Sequence, residues 1–130
     1  MTRFQVSLIV AAYGAVACGN ATGPTLQGQW AARGIELTAQ PASTELRLPC
    51  GSFARIARPL VLGEGNTIRF SARGVSLGNS FTVNFVGHVQ NGGIDATVTV
   101  KWPNSAPSVG THILLPGVDP QFQSYFCLDG

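Results

Sequence analysis

Apolar and polar residues alternate along Phe81–Trp102 (FTVNFVGHVQNGGIDATVTVKW), and the alternation stays in phase on both sides of Asn91-Gly92. A two-residue turn with left-handed φ at both central positions favours Asn followed by Gly, so the stretch predicts one long β-hairpin. Folding there sets Val89 opposite Ile94, Phe85 opposite Val98, Val83 opposite Val100 and Phe81 opposite Trp102, all on one face. The other face carries Thr82, Asn84, His88 and Gln90 against Lys101, Thr99, Asp95 and Gly93. One dry side and one wet side in register specify an antiparallel sheet laid over a core.

The same period of two recurs on either side of the hairpin. Gly34–Ala39 alternates Ile35 and Leu37 with Glu36 and Thr38, and Thr44–Cys50 alternates Leu46 and Leu48 with Glu45 and Arg47. Gln40–Ser43 turns the chain between them. Ser52–Leu62 predicts a less regular strand that Pro59 confines to an edge or bulge. Thr67–Arg73 places Ile68, Phe70 and Ala72 inward and Arg69 and Arg73 outward. Gly74–Ser80 and Pro103–Gly110 predict loops, Thr111–Leu115 a strand, Pro116–Pro120 a turn, and Phe122–Leu128 a closing strand. About eight short strands at near-regular spacing predict an all-β antiparallel meander, closed or nearly closed as a small barrel, with a two-sheet sandwich as the alternative.

The N-terminal stretch follows other rules. Arg3, the apolar run Phe4–Val16 and the small residues Ala15-Val16-Ala17 have the anatomy of a secretory signal helix. Cys18 follows at once, a placement that resembles the lipobox of bacterial lipoproteins and makes Cys18 the expected site of lipidation; a plain signal peptide or a retained anchor are the other readings. Residues 1–18 are thus expected to be a signal or anchor, residues 19–29 a flexible tether, and residues 30–130 the β domain. With Cys18 set aside, Cys50 and Cys127 remain, and an exported pair in an oxidising compartment is expected to form a disulfide. By loop entropy such a bond contributes about 4 kcal/mol.

Composition narrows the classes. The chain has 130 residues, room for one domain and one core, and only 11% of them are charged, under half the usual share. A formal charge of +2 supplies no basic stripe for nucleic acid. So few charges point to a tethered or partner-bound protein, and the signal-like leader with Cys18 makes the bacterial periplasm or cell envelope the expected location.

From Trp30 to Leu128 the order of landmarks resembles a group of small, uncharacterised bacterial exported proteins and lipoproteins. The landmarks are Gly34-Ile35-Glu36-Leu37, then Leu46–Gly51 with its cysteine, then Ile56–Leu62, then Phe85–Val89 running into the alternating Ala96–Val100, and a final Cys127-Leu128. The resemblance implies a compact β domain and supports the Cys50–Cys127 bond, and it implies no activity.

Candidate chemistry is sparse. His88 faces Asp95 across the predicted hairpin, either the beginning of a hydrolytic triad or a solvent-side ion pair; no nucleophile motif accompanies it, and no catalytic residue is assigned. Neither metal nor cofactor is expected. Arg55, Arg58, Arg69 and Arg73 can gather on one surface, either as an ordinary solvated face or facing an anionic partner or lipid head groups. With Val75 and Leu77 they are the candidate interaction residues. Trp30, Trp102 and Phe122 plug the barrel or line an aromatic mouth for an apolar ligand. The leading expectation is a non-catalytic accessory subunit, held to the membrane by lipid or anchor and packed on an integral-membrane protein complex; extrinsic subunits of photosynthetic reaction centre–antenna complexes exemplify the type. The alternative is a lipocalin-like carrier of a small apolar ligand, and a periplasmic enzyme inhibitor is a third.

Overall fold

The computed structural model describes residues 23–127. The expected leader, Cys18 and Leu128 lie outside them. The described chain forms ten strands: β1 (Thr25–Leu26), β2 (Gly28–Ala32), β3 (Ile35–Ala39), β4 (Thr44–Arg47), β5 (Phe53–Ile56), β6 (Leu60–Val61), β7 (Thr67–Ser76), β8 (Asn79–Gln90), β9 (Gly93–Lys101) and β10 (Ser108–Leu114). Eight of them make one antiparallel sheet in the order β10-β9-β8-β7-β5-β4-β3-β2, a meander in chain order apart from β6. Reciprocal bonds of 2.9 Å between Ala31 and Leu115 join its two ends, so the sheet is a nearly closed barrel. Strands β1 and β6 form a separate pair, Thr25 to Val61 and Leu26 to Leu60, beside it.

The β8–β9 hairpin has the register that its pattern predicts, with Val89 opposite Ile94, Phe85 opposite Val98 and Val83 opposite Val100. Asn91 and Gly92 take φ of 54° and 79°, as the turn requires. The ladder ends at Thr82–Lys101, one position short of the expected Phe81–Trp102 pair, and those two rings meet instead with centroids 4.6 Å apart. Inside the barrel Phe70 stacks on Phe85 at 4.9 Å, among Leu37, Leu46, Ile68, Val83, Ile94 and Leu114, all buried. Gly74 lies under Phe81, where any Cβ would run into the ring.

Four elements differ from the sequence reading. Pairing begins at Thr25, inside the stretch expected to be a tether, and β2 supplies the first barrel strand. Ser52–Leu62 is not one strand: it breaks after Ile56, and Leu60–Val61 turns away to meet β1. Gly74–Ser80 is not a loop, because β7 and β8 run on to a two-residue turn at Leu77-Gly78. Phe122–Leu128 is not a closing strand. Phe122–Ser124 forms a 3-10 turn, preceded by Gln121 in the left-handed region. Asp119 accepts the Gln121 N–H at 2.8 Å and Ser124 donates to the Gln121 carbonyl at 2.7 Å, so local side-chain bonds displace the extended backbone.

The C-terminal segment nevertheless belongs to the domain. Gly34 donates its N–H to the Pro120 carbonyl, Arg33 lies over the Tyr125 ring, and Arg47 over Phe122. Cys50 and Cys127 are joined by a disulfide across 77 positions of sequence, with Cα atoms 5.4 Å apart.

Candidate functional site

Register decides which outward side chains stand together. Arg55 on β5 pairs with Arg73 on β7, Arg73 with Thr82 on β8, and Thr82 with Lys101 on β9. Three cations and a hydroxyl therefore form a row across four strands. Of the four arginines that can gather by sequence, this row unites two. Arg69 lies on the same face of β7, four residues away, and Arg58 lies in the turn beyond β5, where its carbonyl accepts from Thr44. The sequence reading did not include Lys101, because the site depends on a three-strand register that β7's undetected extension completes.

One row further toward the turns, Phe53 pairs with Val75 and Leu77 forms the tip. Their exposures are 42%, 48% and 63%, so the expected interaction residues Val75 and Leu77 are indeed at the surface, joined by Phe53.

A cavity of about 200 Å³ opens where this surface meets the chain leaving β9. Its lining combines an aromatic and apolar wall (Phe81, Trp102, Pro103) with two hydroxyls (Ser80, Thr82) and two cations (Arg73, Lys101). Trp102 rests on Phe81, and Lys101 donates to the Trp102 carbonyl at 2.8 Å, which fixes the rim. Among the described residues the one ion pair is elsewhere, Arg47 to Glu36 at 2.9 Å, so neither Arg73 nor Lys101 is neutralised by a carboxylate. A second cavity of about 240 Å³ is lined by Glu45, Arg47, Leu48, Gly51, Ser52, Phe53 and Phe122. There the buried Glu36, which also accepts from Gln29 at 2.7 Å, holds Arg47 under the Phe122 ring.

The other candidates are more dispersed. His88 stands opposite Asp95 as expected, and Thr67 flanks it on the other side, but no hydrogen bond or ion pair links the three. His112 faces inward on β10, opposite Ala96, and burial lowers its pKa below the ordinary value. Trp30 packs against the core and Phe122 covers Arg47, so of the three expected rim aromatics Trp102 alone lines the cavity beside Arg73. Among the described residues no three His, Cys, Asp or Glu side chains gather as metal ligands would.

The fold and site together define a small, nearly closed antiparallel β-barrel with a cationic, aromatic rim. No protein-family model matches the chain, and no curated protein and no solved structure matches it.

Proposed function

We propose that this chain is a small-molecule-binding barrel, lipocalin-like in architecture, that takes its ligand at the rim rather than in the interior. The observation that carries the reading is the rim cavity, where the apolar wall of Trp102, Phe81 and Pro103 faces the cations Arg73 and Lys101. That pairing suits a small molecule with an apolar body and an anionic group, the first stacking on indole and the second taking charge-assisted bonds. The interior is occupied by Phe70, Phe81 and Phe85. At about 200 Å³ the cavity is smaller than the roughly 300–1,000 Å³ of sites for drug-sized molecules, so its occupant is small or only its head is held there. No proton transfer or bond cleavage is needed for this role. The test is a titration of the full chain with a medium-chain carboxylate such as octanoate, followed by tryptophan fluorescence. Saturable quenching that salt weakens and Trp102→Leu abolishes supports the reading; an unchanged signal counts against it.

A second reading, an accessory subunit packed on a membrane-protein complex, is favoured by Val109 and Ile113, which point outward and exposed from β10. Purification from native membranes in mild detergent separates the two, since this reading requires a stoichiometric integral-membrane partner.

A further inference from the structure

The β7–β8 turn carries a contradiction with its own chemistry. Leu77 takes φ of 49° and Gly78 φ of 84°, the left-handed pair that the β8–β9 turn fills with Asn91 and Gly92. Asn tolerates that region and a bulky aliphatic residue does not, so Leu at this position is conformationally costly. It makes no compensating burial: at 63% exposure Leu77 projects from the tip. An apolar side chain that is strained and uncovered serves something outside the barrel.

Its neighbours indicate what. Val75 and Phe53 are cross-strand partners directly behind the tip, both exposed and outward. Phe126, exposed at 87%, is held at the turn that leads into Phe53, where the disulfide ties Cys127 to Cys50 and the Phe126 carbonyl lies 4.0 Å from the Cys50 sulfur. The next row back is cationic in balance, with Arg55 opposite Arg73, Lys101 two strands on and one carboxylate, Glu45, on the far side of Arg55. Apolar residues in front and long cationic side chains one row behind is the order found in protein segments that enter the boundary between head groups and acyl chains of an anionic bilayer. A protein partner fits less well. A hairpin tip is convex and narrow, whereas a stable protein interface takes about 800 Å² from each side. A bilayer needs no complementary surface.

We infer that this end of the barrel docks on an anionic lipid surface, with Leu77, Val75, Phe53 and Phe126 entering the head-group boundary and Arg55, Arg73 and Lys101 meeting the phosphates. This inference shares Arg73 and Lys101 with the ligand reading, but it rests on the turn and its apolar neighbours, and the Leu77→Asn variant tests it apart from the Trp102 cavity. It orients the barrel with the rim cavity next to the membrane.

The experiment uses the full chain with vesicles of phosphatidylcholine alone or mixed with phosphatidylglycerol. The apolar stretch Phe4–Val16 would partition into either, so the readout is local: amide exchange of Gly74–Ser80, the segment around the tip. Exchange there is expected to slow on the mixed vesicles and far less on the neutral ones. Leu77→Asn, which keeps the turn in its preferred chemistry, is expected to weaken that protection about tenfold. Arg55→Gln with Arg73→Gln is expected to erase the difference between the two vesicles. Unchanged exchange on mixed vesicles, equal protection on neutral ones, or full protection in Leu77→Asn would overturn the inference. So would protection that arises only with native membrane proteins present, which would assign the tip to a protein partner.

Discussion

Arg55 stands directly across from Arg73 on one neighbouring strand and from Glu45 on the other, and among the described residues no carboxylate is ion-paired to either arginine. Like charges at opposed positions destabilise a sheet, and the Glu45 carboxylate opposite Arg55 offsets part of that cost. Arg73→Gln is expected to stabilise the native state by about 0.5 kcal/mol, and Arg55→Gln by less, because Arg55 also faces Glu45 on β4. Urea denaturation at low and high salt checks this, and the gain shrinks as salt screens the pair. A loss of stability in both variants would mean that the arginines hold the barrel together by contacts not made through charge.

The two tight turns give a paired comparison. Leu77→Asn is expected to raise stability by about 1 kcal/mol, and Asn91→Leu to lower it by a similar amount, because each exchange moves a bulky side chain out of or into the left-handed region. Thermal unfolding of the two variants beside the parent measures both.

The disulfide joins the β4–β5 turn to the C-terminal segment. Replacing Cys50 and Cys127 by Ser is expected to cost about 2–5 kcal/mol, since the open loop regains entropy on unfolding. Amide exchange should rise first in the segment from Pro116 onward, which the barrel ladder does not hold.

How much of this was legible in the sequence depended on how local the signal was. The β8–β9 hairpin was legible except at its open end, where Phe81 and Trp102 do not pair, because Asn91-Gly92 sets the register and the period of two confirms it on both arms. The β7–β8 turn was not, since Leu77 is the wrong residue for it and Gly74 reads as a breaker until Phe81 is seen lying over it. The expected eight barrel strands were found as eight, but with different membership: β2 has little alternation to reveal it, and Phe122–Leu128 alternates well enough to suggest a strand that Asp119 and Ser124 redirect into a turn. The disulfide was legible from cysteine count. The rim cavity was not, because Arg73, Thr82 and Lys101 converge only through two strand registers, one of them undetected. Arg58 fell away from the cluster because the chain turns after Ile56, a bend that Pro59 hinted at without placing.

His112 supplies a pH dependence. Burial makes the native state resist the proton, so the imidazole titrates below its ordinary 6.5 when folded. As pH falls through that value the unfolded chain binds a proton that the native chain refuses, and stability declines until the folded pKa is reached. Above it both states are neutral and His112 contributes no slope. His112→Gln is expected to flatten the decline on the acid side, measured as urea midpoints over a pH series.

The most direct test of the ligand-binding account is purification of the full chain from the cells that make it, in mild detergent, with mass spectrometry of everything that accompanies it. The account predicts a small molecule bearing an apolar body and an anionic group, stoichiometric with the chain and lost from the Arg73→Gln variant. An empty barrel held in a stoichiometric complex with an integral-membrane protein would contradict it and make the accessory-subunit reading the better one.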